Sequence, residues 1–106
     1  MKPDLRVMLE WRSWPLWTRD DSGGEDTPDP RTIAGGALGD ELIRWAEDYD
    51  AYWDPDDPRG PAFPDRETEV AFFARGRALA DRLAAEVGDR WAVRFLDEDN
   101  QWVQLS

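Results

Sequence analysis

The side chains of this chain that could take part in chemistry are mostly carboxylates. The sequence has 24 Asp and Glu against 13 Lys and Arg, with no His and no Cys, which gives a formal net charge of −11 at pH 7. The densest group lies between positions 40 and 57 and has Arg44 as its only cation before Arg59. Its members are Asp40, Glu41, Glu47, Asp48, Asp50, Asp54, Asp56 and Asp57. Carboxylates can act as general acids or bases, coordinate hard cations, or bind a cationic surface.

Composition disfavours most catalytic chemistry. Without Cys there is no thiolate nucleophile, disulfide or zinc–thiolate site, and without His the commonest general base and transition-metal ligand are missing. Lys2 is the only lysine and lies beside the N-terminus, so a phosphate-binding lysine is disfavoured. A hydrolase that uses two carboxylates about 5–9 Å apart is kept as an alternative. The sequence therefore predicts no catalytic residues and no cofactor.

Calcium is the metal that the acidic segment could attract. The segment Asp54-Pro55-Asp56-Asp57 resembles an oxygen-rich metal-binding loop. An EF-hand loop needs Gly at its sixth position and Glu at its twelfth, but counting from Asp54 these positions hold Arg59 and Asp65. We therefore predict no metal site.

The net charge restricts the partners of the protein. Nucleic acids and anionic membranes repel such a surface, whereas a basic protein is attracted to it. The alternative is that the charge serves solubility alone. There is no apolar run of 18 residues, and the N-terminus lacks the apolar core of a signal peptide, so the predicted location is the cytoplasm.

Hydrophobic periodicity predicts an α+β fold, with a small antiparallel sheet in ββααββ order and two helices packed on one face. Alternating apolar residues predict a strand over 5–11 whose buried face carries Leu5, Val7, Leu9 and Trp11. The other predicted elements are a short strand at 16–18, helices over 38–53 and 66–87, and strands at 91–95 and 101–105.

Residues at the helix ends and in the second helix carry specific expectations. Asp40 is predicted to cap the first helix and Asp65 the second, because short polar side chains accept hydrogen bonds from free amides there. Gly88 is predicted to end the second helix in a left-handed conformation. Gly76 inside it costs about 1 kcal/mol relative to Ala, which predicts a close approach to another element. The predicted buried stripe of this helix is Phe72 or Phe73, Gly76, Leu79, Ala80, Leu83 and Val87.

The remaining segments are predicted to be irregular within a single domain spanning 1–106. Residues 19–36 lack apolar periodicity and are predicted to form an acidic, mobile loop. Residues 54–65 hold four Pro and four Asp, which predicts a rigid connector anchored to the core by Phe63.

The seven Trp residues divide into two groups. Trp11, Trp45 and Trp91 lie at inward positions and are predicted to be in the core. The others are harder to bury, and Trp is frequent in binding hot spots. Trp14 and Trp17, which flank Pro15, form either a contact pair or a seal at the end of the sheet. Trp102 on the terminal strand offers a route to a homodimer.

Three segments resemble a group of small, acidic, single-domain bacterial proteins of unassigned role. The segments are Trp11-Arg12-Ser13-Trp14-Pro15-Leu16-Trp17, Leu42-Ile43-Arg44-Trp45-Ala46-Glu47-Asp48-Tyr49-Asp50 and Gly88-Asp89-Arg90-Trp91. In type, the chain is similar to immunity proteins of toxin–immunity systems. The resemblance implies binding to a protein partner but transfers no functional residue.

These observations together favour a non-catalytic domain that neutralises a basic protein partner, with a toxin domain as the leading candidate. The alternatives are a self-associating interaction module and the carboxylate hydrolase. The predicted partner-binding residues are Asp40, Glu41, Glu47, Asp48, Trp53, Asp54, Asp56, Asp57, Trp14 and Trp17.

Overall fold

A five-stranded sheet and three helices make up the fold in the computed structural model, which describes residues 2–57 and 59–106. In chain order the elements are β1 (Asp4–Val7), β2 (Leu16–Arg19), β3 (Glu25–Asp26), α1 (Pro30–Ala34), α2 (Gly36–Asp50), α3 (Arg66–Val87), β4 (Ala92–Leu96) and β5 (Trp102–Gln104). The α+β class is confirmed, and the four predicted strands and two predicted helices occur in the predicted ββααββ order. The additions are β3 and α1.

The sheet has the strand order β3-β2-β1-β4-β5, and its central pair corrects one feature of the prediction. β1 and β4 are parallel, with Leu5 opposite Val93 and Val7 opposite Phe95, whereas every other pair is antiparallel. Alternation of apolar residues specifies which face of a strand is buried but carries no information about strand direction. The two hairpins therefore join through their first strands, which a sequence pattern alone does not reveal.

The apolar core lies between one face of the sheet and the helices α2 and α3. Inward side chains of β1, β2 and β4 pack against the buried stripes of the two helices. The α3 stripe is as predicted: Phe72, Gly76, Leu79, Ala80, Leu83 and Val87 are all buried. Phe63 is partly buried against the same core, in agreement with its predicted anchoring role.

A glycine brings α2 and α3 into close contact, as its position predicts. A Cβ atom added to Gly76 would lie 2.0 Å from Cζ2 of Trp45, so only glycine fits at this position without movement. Trp45 is fully buried, and its indole N–H donates to the carbonyl of Phe72 at 3.1 Å. The crossing of the two helices is thus determined by one ring packed against one backbone.

The helix ends agree with the predictions at one of three positions. Asp65 caps α3, because its carboxylate accepts a hydrogen bond from the Thr68 amide at 2.7 Å. Asp40 does not cap α2, which begins four residues earlier, at Gly36. Gly88 is right-handed, with φ −64° and ψ −14°, so the predicted left-handed ending of α3 is wrong.

The segment 19–36, predicted as a loop, contains regular structure. β3 pairs with β2 through Thr18 and Asp26, and Asp29 caps the five-residue helix α1 through the Arg31 amide at 2.9 Å. Pro30 at the start of α1 and Ala34 at its end are buried. Elements this short contain too few apolar positions to produce a recognisable period, which is why the sequence pattern did not indicate them.

Candidate partner-binding surface

The parallel pairing of β1 and β4 brings several chain segments to one edge of the sheet. Parallel strands end at the same edge, so the hairpin turn at 8–15 after β1 lies near the turn at 97–100 after β4. The end of α2 joins this edge, because the Arg12 amide donates to Asp50 Oδ1 at 2.8 Å. The start of α3 joins it through Arg66, whose guanidinium donates to Asp99 Oδ1 at 2.8 Å. We call this region the carboxyl edge.

A stack of two indoles stands at the carboxyl edge. The rings of Trp11 and Trp53 lie 5.6 Å apart between centroids at an interplanar angle of 21°, and Tyr49 meets Trp53 edge-on at 6.1 Å. The guanidinium of Arg12 lies 4.6 Å from the Trp11 ring centroid. Trp11 is 38% exposed, so its predicted place in the core is wrong. β1 ends at Val7, and Arg12 adopts a positive φ of 58°, so Trp11 belongs to the hairpin turn.

A concave surface, which we call the hairpin groove, lies between the hairpin turn and α2. Its volume is about 510 Å³. It is lined by Arg12, Ser13, Trp14, Thr27, Ile43, Ala46, Glu47 and Asp50. Two predicted partner-binding residues meet here: Trp14, which is 41% exposed, and Glu47. The groove therefore combines an exposed aromatic ring, the apolar side chains of Ile43 and Ala46, and carboxylates.

Four of the predicted acidic residues contact arginines of the same chain. Glu41 pairs with Arg82 at 2.5 Å, and Asp48 pairs with Arg75 at 2.7 Å; both pairs join α2 to α3. The other two pairs are Asp57 with Arg59 at 2.9 Å and Asp40 with Arg31 at 3.8 Å. Part of the acidic face of α2 is thus neutralised within the chain.

The other three predicted acids remain uncompensated within the described chain. Glu47, Asp54 and Asp56 have no ion-pair partner among residues 2–57 and 59–106, and the same is true of the cation Arg44. Asp54 accepts a hydrogen bond from the Asp56 amide at 2.9 Å, which shapes the start of the connector. The C-terminus of α2 adds a partial negative charge at the same place.

The remaining Trp residues lie away from the hairpin groove or in the core. Trp17 is opposite Arg6 in the sheet, on the face away from the helices, and its N–H donates to the Met8 carbonyl at 3.1 Å. Trp14 and Trp17 therefore lie on different surfaces. Trp45 is in the core as predicted, whereas Trp91 is only partly buried against it. Trp102 is 41% exposed, and its ring lies 4.9 Å from the Arg94 guanidinium.

The carboxyl groups whose pKa values are shifted are all shifted downward. Hydrogen bonds from Arg59 lower the pKa of Asp57, and those from Arg6 and Arg19 lower the pKa of Glu25. Burial raises the pKa of the Tyr49 hydroxyl. Across the described ranges, no three acidic side chains lie close enough to share a metal ion. None of the described helices combines the length and the apolar character that crossing a membrane requires.

The fold and this surface define a small acidic α+β protein that exposes aromatic rings beside unpaired carboxylates. A family model described as Serratia CdiI immunity protein-like matches residues 3–98. The chain belongs to this family of immunity proteins, and the resemblance found in the sequence is thereby confirmed. Membership implies binding to a toxin partner. No curated protein matches the chain.

Proposed function

We propose that this protein neutralises a basic toxin domain by placing the hairpin groove and its neighbouring Trp residues over the toxin's functional cleft. The observation that carries the proposal is the position of exposed Trp14 beside Glu47 in one groove. A binding surface gains most of its affinity from a few aromatic anchors surrounded by polar contacts. The groove supplies an aromatic anchor and polar groups close enough together for one partner to contact them all.

Electrostatics favour a basic partner. Glu47, Asp50, Asp54 and Asp56 lie on or just after the last turn of α2, where the helix dipole adds negative potential. A cleft that binds phosphate groups carries cations at fixed positions, and carboxylates can occupy the places of those phosphates. A nuclease domain is the partner class that this chemistry suits best.

The apolar contribution comes from the Trp residues. Trp14 presents an exposed ring, and the Trp11–Trp53 stack lies beside the groove because Arg12 follows Trp11 directly. Stacking holds the two indoles in place before binding, so little side-chain entropy is lost when a partner covers them. Charge then guides the encounter, and the rings hold the complex together.

A non-catalytic role agrees with the chemistry of the carboxylates. A general acid that uses a carboxyl group needs a raised pKa. The displaced carboxyl pKa values in the described chain are lowered by hydrogen bonds; they belong to Asp20, Glu25, Asp29, Asp57 and Asp65. We assign inhibition to occupation of the toxin and not to a reaction, as membership of an immunity-protein family favours.

The proposal is tested by capturing the partner at low salt from lysate of the source cell, followed by titration of the purified complex. Trp14→Ala is expected to weaken binding about tenfold to a hundredfold, as for a hot-spot residue. Trp102→Ala is the matched control, since Trp102 is equally exposed but lies on β5. Equal losses of affinity in the two variants would refute the assignment of the groove.

A charge test complements the aromatic one. The double variant Glu47→Lys with Asp56→Lys and the control Asp21→Lys with Glu86→Lys change the net charge by the same amount. All four residues are exposed. Glu47 lines the groove and Asp56 follows the end of α2, whereas neither control residue lines the groove. We expect the first variant alone to reduce both the association rate and its dependence on salt. Identical effects would mean that total charge acts, and not the groove.

Self-association is the second candidate function. Trp102 is exposed on β5, which is an edge strand with only β4 as neighbour. Edge strands with exposed apolar residues can pair with another copy. Light scattering over a wide concentration range tests this candidate, and a monomer at the highest concentration would exclude it.

A further inference from the structure

A second, smaller cavity opens at the carboxyl edge, between the connector, the start of α3 and the turn after β4. Its volume is about 230 Å³. Leu9 and Tyr49 contribute to it, each close in sequence to a residue of the hairpin groove. Pockets that enclose a whole small-molecule ligand span about 300–1,000 Å³. This cavity is below that range and has the size for one long side chain.

The walls of the cavity are apolar and aromatic. Phe63 from the connector and Phe73 from α3 lie 6.3 Å apart between centroids at an angle of 57°. Leu9, which follows β1 in the hairpin turn, and Leu96, at the end of β4, complete the apolar lining. An apolar wall that contains two aromatic rings can pack against the methylene stem of a long side chain and offer a ring face to a cation.

The rim of the cavity is acidic, and its three carboxylates differ in what they already bind. Asp97 accepts the amides of Asp99 and Gln101, both at 2.9 Å, and so holds its turn together. Glu69 pairs with Arg66 at 2.7 Å. Glu98 is half-buried. Its side chain makes no ion pair and accepts no hydrogen bond from a side chain within residues 2–57 and 59–106.

The cations near the rim are themselves compensated. Arg66 pairs with both Glu69 and Asp99, and Arg77, which borders a neighbouring hollow beside Glu98, pairs with Asp81 at 3.3 Å. The local charge is therefore negative. Glu98 is the rim carboxylate that is available to pair with a cation from a partner. A charged group that is half-removed from water gains more from a partner than a fully exposed one does.

We propose that this cavity is a socket for a single arginine side chain of the basic partner, and this inference rests on the proposed function. The guanidinium would pair with Glu98 and stack against Phe63 or Phe73, while its stem covers Leu9 and Leu96. Arginine suits the socket better than lysine does. Its planar group is less strongly hydrated, stacks on aromatic rings and binds a carboxylate through two parallel hydrogen bonds.

The socket is tested first without any toxin. The ¹⁵N-labelled protein is titrated with N-acetyl-arginine amide, N-acetyl-lysine amide and the uncharged N-acetyl-norleucine amide. We expect the arginine probe to shift the amides around Leu9, Phe63 and Glu98 at the lowest concentration, followed by lysine, with norleucine weakest. Equal binding of norleucine would overturn the proposal in favour of an apolar pocket, and shifts elsewhere or no shifts at all would also overturn it.

Two variants separate the role of Glu98 from that of total charge. Glu98→Gln is expected to weaken the arginine probe about tenfold, because a charge-assisted contact becomes a neutral one. Glu86→Gln, an exposed residue near the end of α3, is the control and is expected to have no effect. Equal affinity of the probe for both variants would refute the assignment.

The captured toxin then links the socket to the proposed function. Glu98→Gln is expected to weaken toxin binding about tenfold relative to Glu86→Gln. If Trp14→Ala weakens the toxin but Glu98→Gln does not, the socket is refuted and the proposed function stands. If neither variant affects the toxin, the proposed function of this surface is refuted, and the socket for a partner arginine is refuted with it, even where the free arginine probe binds at Glu98.

Discussion

The contact between Gly76 and Trp45 makes a strong prediction about stability. In Gly76→Ala the new Cβ would lie 2.0 Å from Cζ2 and 2.4 Å from Cε2 of Trp45, closer than Cβ atoms approach other atoms in proteins. The indole has little room to retreat, since it is fully buried, hydrogen-bonded to Phe72 and packed against Phe95 at 6.2 Å. We therefore expect the substitution to force α2 and α3 apart.

The magnitude follows from two opposing effects. Overpacking a buried site costs about 1–3 kcal/mol and sometimes more, and an overlap with a rigid ring belongs at the upper end. The higher helix propensity of alanine stabilises the fold by about 1 kcal/mol relative to glycine. The net loss in the free energy of unfolding is about 2 kcal/mol, which lowers the Tm of a domain of this size by roughly 10 °C.

Urea denaturation followed by far-ultraviolet circular dichroism measures this loss. Gly36→Ala is the matched control, because nothing lies within 4 Å of its added Cβ, and no loss is expected there. In a Trp45→Phe background, which removes ring atoms that the new Cβ meets, Gly76→Ala should cost less than in the native chain. A Gly76→Ala protein as stable as the native one, or the same cost in both backgrounds, would refute the reasoning.

Three further predictions concern polar groups. Asp65→Ala should lower the Tm by several degrees, because the Thr68 amide at the start of α3 loses its hydrogen-bond acceptor. Thermal melts of this variant and of Asp65→Asn measure the effect. Asn is a good capping residue, so Asp65→Asn should lower the Tm less. A hydrogen bond from Arg6 lowers the pKa of Glu25 in the folded state. The ionised Glu25 therefore stabilises the fold above about pH 5, and this contribution is lost as the pH falls below about 4. In Glu25→Gln, Tm should depend less on pH within that window. Glu41→Gln should change the free energy of unfolding by less than about 1 kcal/mol, since its pair with Arg82 is exposed; a larger loss in denaturation would show that the pair matters more than its exposure implies.

The long helix α3 shows how much of the fold the sequence could predict. Its capping residue, its buried stripe and the close approach at Gly76 were all predicted correctly. These features depend on neighbours within a few residues, or on a glycine whose cost in a helix demands a reason. Local signals of this kind are present in any stretch of sequence long enough to contain several turns.

The hairpin after β1 shows why other features could not be predicted. The alternation of apolar residues continues to Trp11, yet the strand ends at Val7 and the chain turns, with Arg12 at a positive φ. A backbone that leaves the sheet removes Trp11 from the core whatever the pattern suggests. The stack with Trp53, a residue 42 positions away, then holds the ring at the carboxyl edge.

The candidate site remains a prediction, and the structure shows where its predicted residues lie. The sequence predicted a binding surface of acidic residues from the first helix and the connector together with Trp14, Trp17 and Trp53, and the structure places Trp17 on a different surface from Trp14. It could not indicate which acids are neutralised, because Glu41 and Asp48 meet arginines of α3 that lie 41 and 27 residues away. Asp50, Trp11 and Glu98 were absent from the predicted set, and only their places at the carboxyl edge draw attention to them.

The sequence by itself determined the class of this protein: an acidic α+β chain of the immunity type, without the side chains that most catalysis requires. Composition and short-range periodicity indicate the charge, the α+β class and the missing side chains, because neither depends on long-range contacts. The immunity type rests on the resemblance to immunity proteins. The tertiary structure alone decided that β1 and β4 run parallel, and that their ends therefore meet at one edge. It also decided which carboxylates remain unpaired there, because ion pairs depend on distances between residues far apart in the chain.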